Sequence, residues 1–123
     1  MVRAIERGAC YWANLEPTVG HEQAGMRPVL VLSGSRFNVR THMVIAVPLT
    51  TRNKLQPPFA IDMGLVGSKQ GYALPAQVRC LSVERLTGLI ASGRELAVEA
   101  CLDALLQVCG RGPRSVRKAN DDG

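Results

Sequence analysis

The sequence predicts an α+β fold, mainly β, and three features point to it. Two runs, VLVLS at 29–33 and MVIAVPL at 43–49, are continuously apolar and rich in β-branched residues, as expected of strands covered on both faces. Turn-forming stretches separate the apolar runs, notably 17–28, which holds two prolines and two glycines among polar residues. After Ser92 the apolar residues recur every three or four positions, which is a helical period. A chain of 123 residues suits a single core, so one domain is expected over 1–110, followed by a tail over 111–123.

Taken in order, ACYWANL at 9–15 reads as a strand. Cys10, Trp12 and Asn14 share one of its faces and Tyr11, Ala13 and Leu15 the other, with Trp12 expected in the core. Pro28 has no backbone donor and belongs at the first position of the next strand, 29–33, which is expected to be central. GSRFNVRTH at 34–42 reads as a polar connection, and Pro48 in the strand 43–49 marks an edge or a bulge. TTRNKLQPP at 50–58, carrying Arg52 and Lys54, reads as a mobile basic loop, and FAIDM at 59–63 resumes strand alternation. GLVGSKQG at 64–71 reads as turn, and YALPAQVRCLSV at 72–83 as strand broken at Pro75. Ser82 is a candidate N-cap for a short helix, since SVERL brings an acidic first turn. Leu96, Ala97, Ala100, Cys101, Ala104, Leu105 and Val108 then mark an amphipathic helix ending near Gly110. The tail has Val116 as its one core-forming residue and is expected to be disordered.

Composition narrows the function. No stretch approaches the ~18 apolar residues that span a bilayer, and the start lacks an apolar run with a cleavage site, so the cytoplasm is the expected compartment and no membrane partner is expected. Cysteines at 10, 80, 101 and 109 form no C-x-x-C pair, and no metal is expected. Cys101 and Cys109 read as small buried packing residues. Phosphate-binding glycine motifs are missing, which removes support for a nucleotide cofactor; none is expected. The net charge is +5, of which about +3 stays on the body, because the tail carries four cations and two acids. Such a body attracts polyanions.

Without metal or cofactor, chemistry falls to side chains that move protons or neutralise charge. The densest group is GHEQAGMRP at 20–28, where His21, Glu22 and Gln23 precede Arg27 at the mouth of the expected central strand. A guanidinium suits a phosphate, since its planar donors grip two oxygens and it stays charged; Arg27 can equally pair with Glu22 to tie down the loop. Thr50 and Thr51 offer hydroxyls to a phosphate or to the backbone at a strand end. His42 has no evident partner in the sequence. Among the aromatics, Phe59 beside the basic loop is the best platform for an unpaired base, ahead of Tyr11, Phe37 and Tyr72.

RGACYWANLEPTVGHEQAGMRPVLVLS, VIAVPLTTRNK, PFAIDM and LPAQVRCLSVERL, in this order and spacing, closely resemble the MazF/PemK family of toxin endoribonucleases over about residues 6–109. The resemblance implies a small SH3-like β-barrel with added short helices, a homodimer, and metal-independent cleavage of single-stranded RNA at short motifs. The nucleophile is then the substrate's own 2′-hydroxyl, which leaves a cyclic phosphate and a 5′-hydroxyl end. By motif position, Arg27 matches the catalytic arginine and Thr50 the threonine that holds the scissile phosphate. Glu22, His21 and Gln23 match loop residues implicated in proton transfer or RNA contact. Gln77 and Arg79 match a strand segment near the RNA groove, and Phe59 with 51–58, including Thr51, Arg52 and Lys54, matches the moving region that lines it.

Two positions depart from the family pattern. Ala9 stands where an acid usually follows Arg-Gly, and Ala76 stands where some members carry a carboxylate before the QVR-like segment. The general base is then Glu22 or a neutral His21, or activity rests on Arg27 with Thr50. The alternatives to a ribonuclease are an RNA- or antitoxin-binding protein that has lost cleavage, and a gyrase-targeting relative. Expected partners are single-stranded RNA, a second copy of the chain, and an antitoxin whose acidic disordered segment folds over the basic groove.

Overall fold

In a computed structural model, described over residues 4–16, 20, 25–52 and 55–110, seven strands and two helices follow one another. They are β1 (Cys10–Asn14), β2 (Met26–Val31), α1 (Ser35–Thr41), β3 (Met43–Thr50), β4 (Ile61–Val66), β5 (Lys69–Ala73), β6 (Arg79–Ser82), β7 (Leu86–Ala91) and α2 (Glu95–Val108). All strand pairs are antiparallel, in the order β4-β5-β3-β2-β1-β7, and β6 also pairs with β3. The expected mainly β class with a C-terminal helix is what the chain adopts, as a curled, barrel-like sheet.

β3 makes the curl possible. Along one edge it pairs with β2 over Ala46–Pro48; along the other it pairs first with β6, up to Ala46, and then with β5, from Leu49. Pro48 falls between the two ladders, where its missing N–H costs no strand bond. The central strands are apolar on both faces because each face has its own core. Cys10, Leu30, Val47 and Leu49 pack with Met63, Val66 and α2; Tyr11, Ala13, Val29, Val31 and Ala46 pack with Val44 and Leu81.

α2 closes the first core with Val98, Cys101 and Ala104 fully buried. The predicted stripe is correct from Ala97 onward but wrong at its start, for Leu96 is 87% exposed and Val98 packs inward instead. Cys109 is also exposed, being the residue just past the last turn, whereas Cys101 is buried as expected. Burial raises the Cys101 thiol from its usual 9.0 to about 12 and the Cys10 thiol to about 11. Salt bridges from Arg7 to Glu95, at 2.9 Å, and to Glu99 join the N-terminal segment to α2. Gly8 allows the close approach, since a Cβ there would meet the Arg94 backbone at 3.1 Å.

Three further expectations fail. The connection 34–42 contains helix α1, whose one buried residue is Asn38. Asn38 donates to the carbonyl of Ile5 at 2.6 Å and accepts from the Ser33 hydroxyl at 2.5 Å, while Ser33 Oγ accepts from the Ile45 amide at 2.9 Å. Ser82 does accept from the Glu84 amide, at 3.2 Å, but the turn it caps is a single 3-10 turn, Val83–Arg85, that leads into strand β7 rather than a helix. The turn expected across 64–71 holds at Gly67 and Ser68 alone; the rest is the end of β4 and the start of β5, a hairpin. The tail 111–123 lies outside the described residues.

Candidate nucleic-acid interface

Arg27 is the second residue of β2, opposite Ala13 of β1, and half-buried. The β2–β3 register runs Val31↔Ala46, Leu30↔Val47, Val29↔Pro48, and continuing it two residues sets Arg27 against Thr50, the last residue of β3. Both line one cavity of about 460 Å³, together with Thr51, Trp12, Lys69 and Gln70. Its charged lining residues are Arg27 and Lys69, both cations, so among the described residues the cavity is shaped for an anion. Thr50 Oγ1 accepts from the Arg52 amide at 3.2 Å. This satisfies the backbone at the strand end and leaves the hydroxyl proton to be donated elsewhere.

A second cavity of about 450 Å³ is lined by Gln77, Arg79, Ala76, Leu15, Pro48 and Cys80, among others. Both touch β3, where Pro48 lines this one and Leu49 and Thr50 line the cavity of Arg27. Arg79 donates to the carbonyl of Leu15 at 3.3 Å, and Arg85 to the carbonyls of Asn14, at 3.0 Å, and Glu16. These two guanidiniums hold the end of β1 where the chain enters the segment that carries Glu22.

The sequence candidates therefore divide. Arg27, Thr50 and Thr51 share one cavity, Gln77 and Arg79 share the other, and the exposed Arg52 and Phe59 line neither. The Phe59 amide donates to the Gln56 carbonyl at 2.8 Å, and the residue is 54% exposed. His21, Glu22, Gln23 and Lys54 lie outside the described residues. His42 caps α1 in the left-handed conformation, with φ at 57°. Ala9 is buried in the second core, away from both cavities, whereas Ala76 is exposed and lines the second.

Trp12 corrects the expectation of a core residue. It is 44% exposed, its indole lies beside Gly88 of β7, and it lines the cavity of Arg27. Its face is shared with the exposed Asn14, a polar neighbour that could have signalled a solvent-facing edge. Sequence reading also missed Lys69 and Gln70, because the stretch that holds them was taken for a turn, and Arg85, because the short helix was expected there.

Residues 6–109 match the family model for the PemK-like, MazF-like toxin of type II toxin–antitoxin systems. The chain is 38% identical over 78 residues to the endoribonuclease toxin MazF of Escherichia coli strain K12, covering 63% of this chain and 68% of that protein. It is 34% identical over 90 residues to endoribonuclease EndoA of Bacillus subtilis strain 168, covering 70% and 78%. The fold superposes on the crystal structure of MazF from Deinococcus radiodurans with a TM-score of 0.79 at 29% identity, covering 89% of this chain and 99% of that one.

Proposed function

The chain belongs to the PemK-like, MazF-like toxins of type II toxin–antitoxin systems, and from that premise we propose how its own residues act. It is the toxin of such a pair, an endoribonuclease that cuts single-stranded RNA at short motifs and so halts translation and growth. The observation that carries the assignment of the site is Arg27 and Thr50 lining one cavity whose charged lining residues, among those described, are cations.

RNA carries its own nucleophile, so the protein must take a proton from the 2′-hydroxyl, stabilise the charge that builds on the phosphate, and return a proton to the leaving 5′-oxygen. Arg27 meets the second task with paired donors aimed at two phosphate oxygens. The Thr50 hydroxyl, already accepting from Arg52, donates its proton to the phosphate and fixes its position. The proton-transfer role belongs to Glu22 or His21 in the segment whose entry Arg79 and Arg85 hold. Gln77 and Arg79, in the second cavity, bind RNA away from the cut, and Gln23, Thr51, Arg52, Lys54 and Phe59 flank it.

The functional unit in this reading is a homodimer in the cytoplasm, restrained by an antitoxin whose acidic segment competes with RNA for the basic surface. Among the described residues no helix is long and apolar enough to cross a membrane. One observation favours a weaker enzyme: Ala76 leaves its cavity without the carboxylate found in some relatives. Induced expression in a bacterial host tests the proposal. Growth arrest with fragmentation of RNA is expected, and both are abolished by Arg27→Ala; arrest that persists in that variant contradicts the site.

A further inference from the structure

Gln70, in β5, lines the cavity of Arg27 and Thr50. Its side-chain nitrogen donates to Asp62 Oδ1 at 2.7 Å and to the carbonyl of Gly71 at 3.0 Å. Both partners are acceptors, so the amide cannot turn over without setting oxygen against oxygen. Asp62 is itself pinned, since the same Oδ1 accepts from the Gly64 amide at 2.8 Å where β4 departs from regular pairing. With both amide protons committed to the protein, Gln70 can offer a ligand only Oε1, and Oε1 can only accept.

That polarity decides what Gln70 can recognise. Phosphate oxygens are acceptors and find no partner in it, whereas every nucleobase carries an N–H on an edge. Trp12, half-exposed in the same cavity, gives such a base a face to stack on. We propose that Gln70 is a specificity-determining residue, a fixed acceptor that takes an N–H of one nucleobase beside the scissile phosphate, with Asp62 as its positioning residue. This rests on the reading of the cavity as the site of RNA cleavage.

The test is cleavage of a single-stranded RNA library, randomised between fixed flanks, by wild-type protein, Gln70→Met and Asp62→Ala, with the cut ends sequenced. Wild type is expected to cut at a recurring motif. Both variants are expected to go on cutting and to lose, by about tenfold, the preference at one and the same position of that motif, as fits the loss of one buried hydrogen bond. Gln70→Ala gives the same readout should the methionine variant fail to fold. An unchanged motif in the Gln70 variants overturns the assignment, and so does a uniform fall in rate without a change of motif, which is what a sugar contact or simple packing would give. Intact RNA with the wild-type protein overturns the ribonuclease reading itself, and this inference with it.

Discussion

A guanidinium on a strand is held more closely than one on a loop, and Arg27 sits on β2, paired with Ala13 of β1. Arg27→Ala is expected to lower RNA cleavage by about a hundredfold or more, the usual loss when a donor to developing charge is removed, while circular dichroism stays that of the folded chain. Thr50 accepts from the Arg52 amide and, in the proposed site, donates to the phosphate, so its variants separate the two. Thr50→Ser keeps both hydrogen bonds and most activity; Thr50→Val loses the phosphate contact and also about 1 kcal/mol of stability through the Arg52 amide. The cysteines give a check on burial. Iodoacetamide on the native chain at pH 8 should label the exposed Cys80 and Cys109 and spare the buried Cys10 and Cys101. Burial holds Cys10 up to about 11 and Cys101 up to about 12 when folded, against 9.0 when unfolded. The unfolded chain therefore sheds these protons first, and their contribution to stability, complete below pH 9, is lost as pH rises through the range from 9 to 12. Denaturant titrations across that range measure it.

At the scale of elements, the parts legible in the sequence were those whose burial pattern is apolar. β2 and β3 announced themselves because each faces a core on both sides, and α2 because its inner face is aliphatic. α1 was not legible: it has seven residues, no side-chain cap, and a polar residue as its one buried contact, so it offers neither a stripe nor a start signal. β7 buries its residues only in part, with Thr87 and Gly88 in place of β-branched aliphatics, and its start was masked by the helix-like cap at Ser82. The β4–β5 hairpin hid behind glycines that bend it. Of the candidate site, Arg27 and Thr50 were singled out through a motif and line one cavity, whereas the lining by Trp12, Lys69 and Gln70 depends on cross-strand register, which local pattern does not carry. The Asn38 network is the test at this scale. Asn38→Ala removes a buried side chain and leaves the part-buried Ser33 hydroxyl and Ile5 carbonyl without it, so thermal unfolding should show a loss of about 1–3 kcal/mol.

At the scale of the whole molecule, the net charge of +5 and the cationic cavity make the same forecast about partners. RNA that binds by replacing counterions on several phosphates loses affinity steeply with salt, about tenfold or more between 50 and 200 mM for a handful of contacts. A filter-binding series across that range, with Arg27→Ala to suppress cleavage, should show the slope, and a flat series would count against binding through phosphates. In the proposed function, this chain cuts RNA with its own side chains around Arg27. The most direct measurement is to incubate the purified protein with a long single-stranded RNA in excess EDTA and map the fragment ends by ligation, with Arg27→Ala alongside. Cuts at a recurring short motif, bearing 5′-hydroxyl ends and absent from the variant, are expected; intact RNA with the wild-type protein, or the same cuts made by Arg27→Ala, would rule out cleavage at this site.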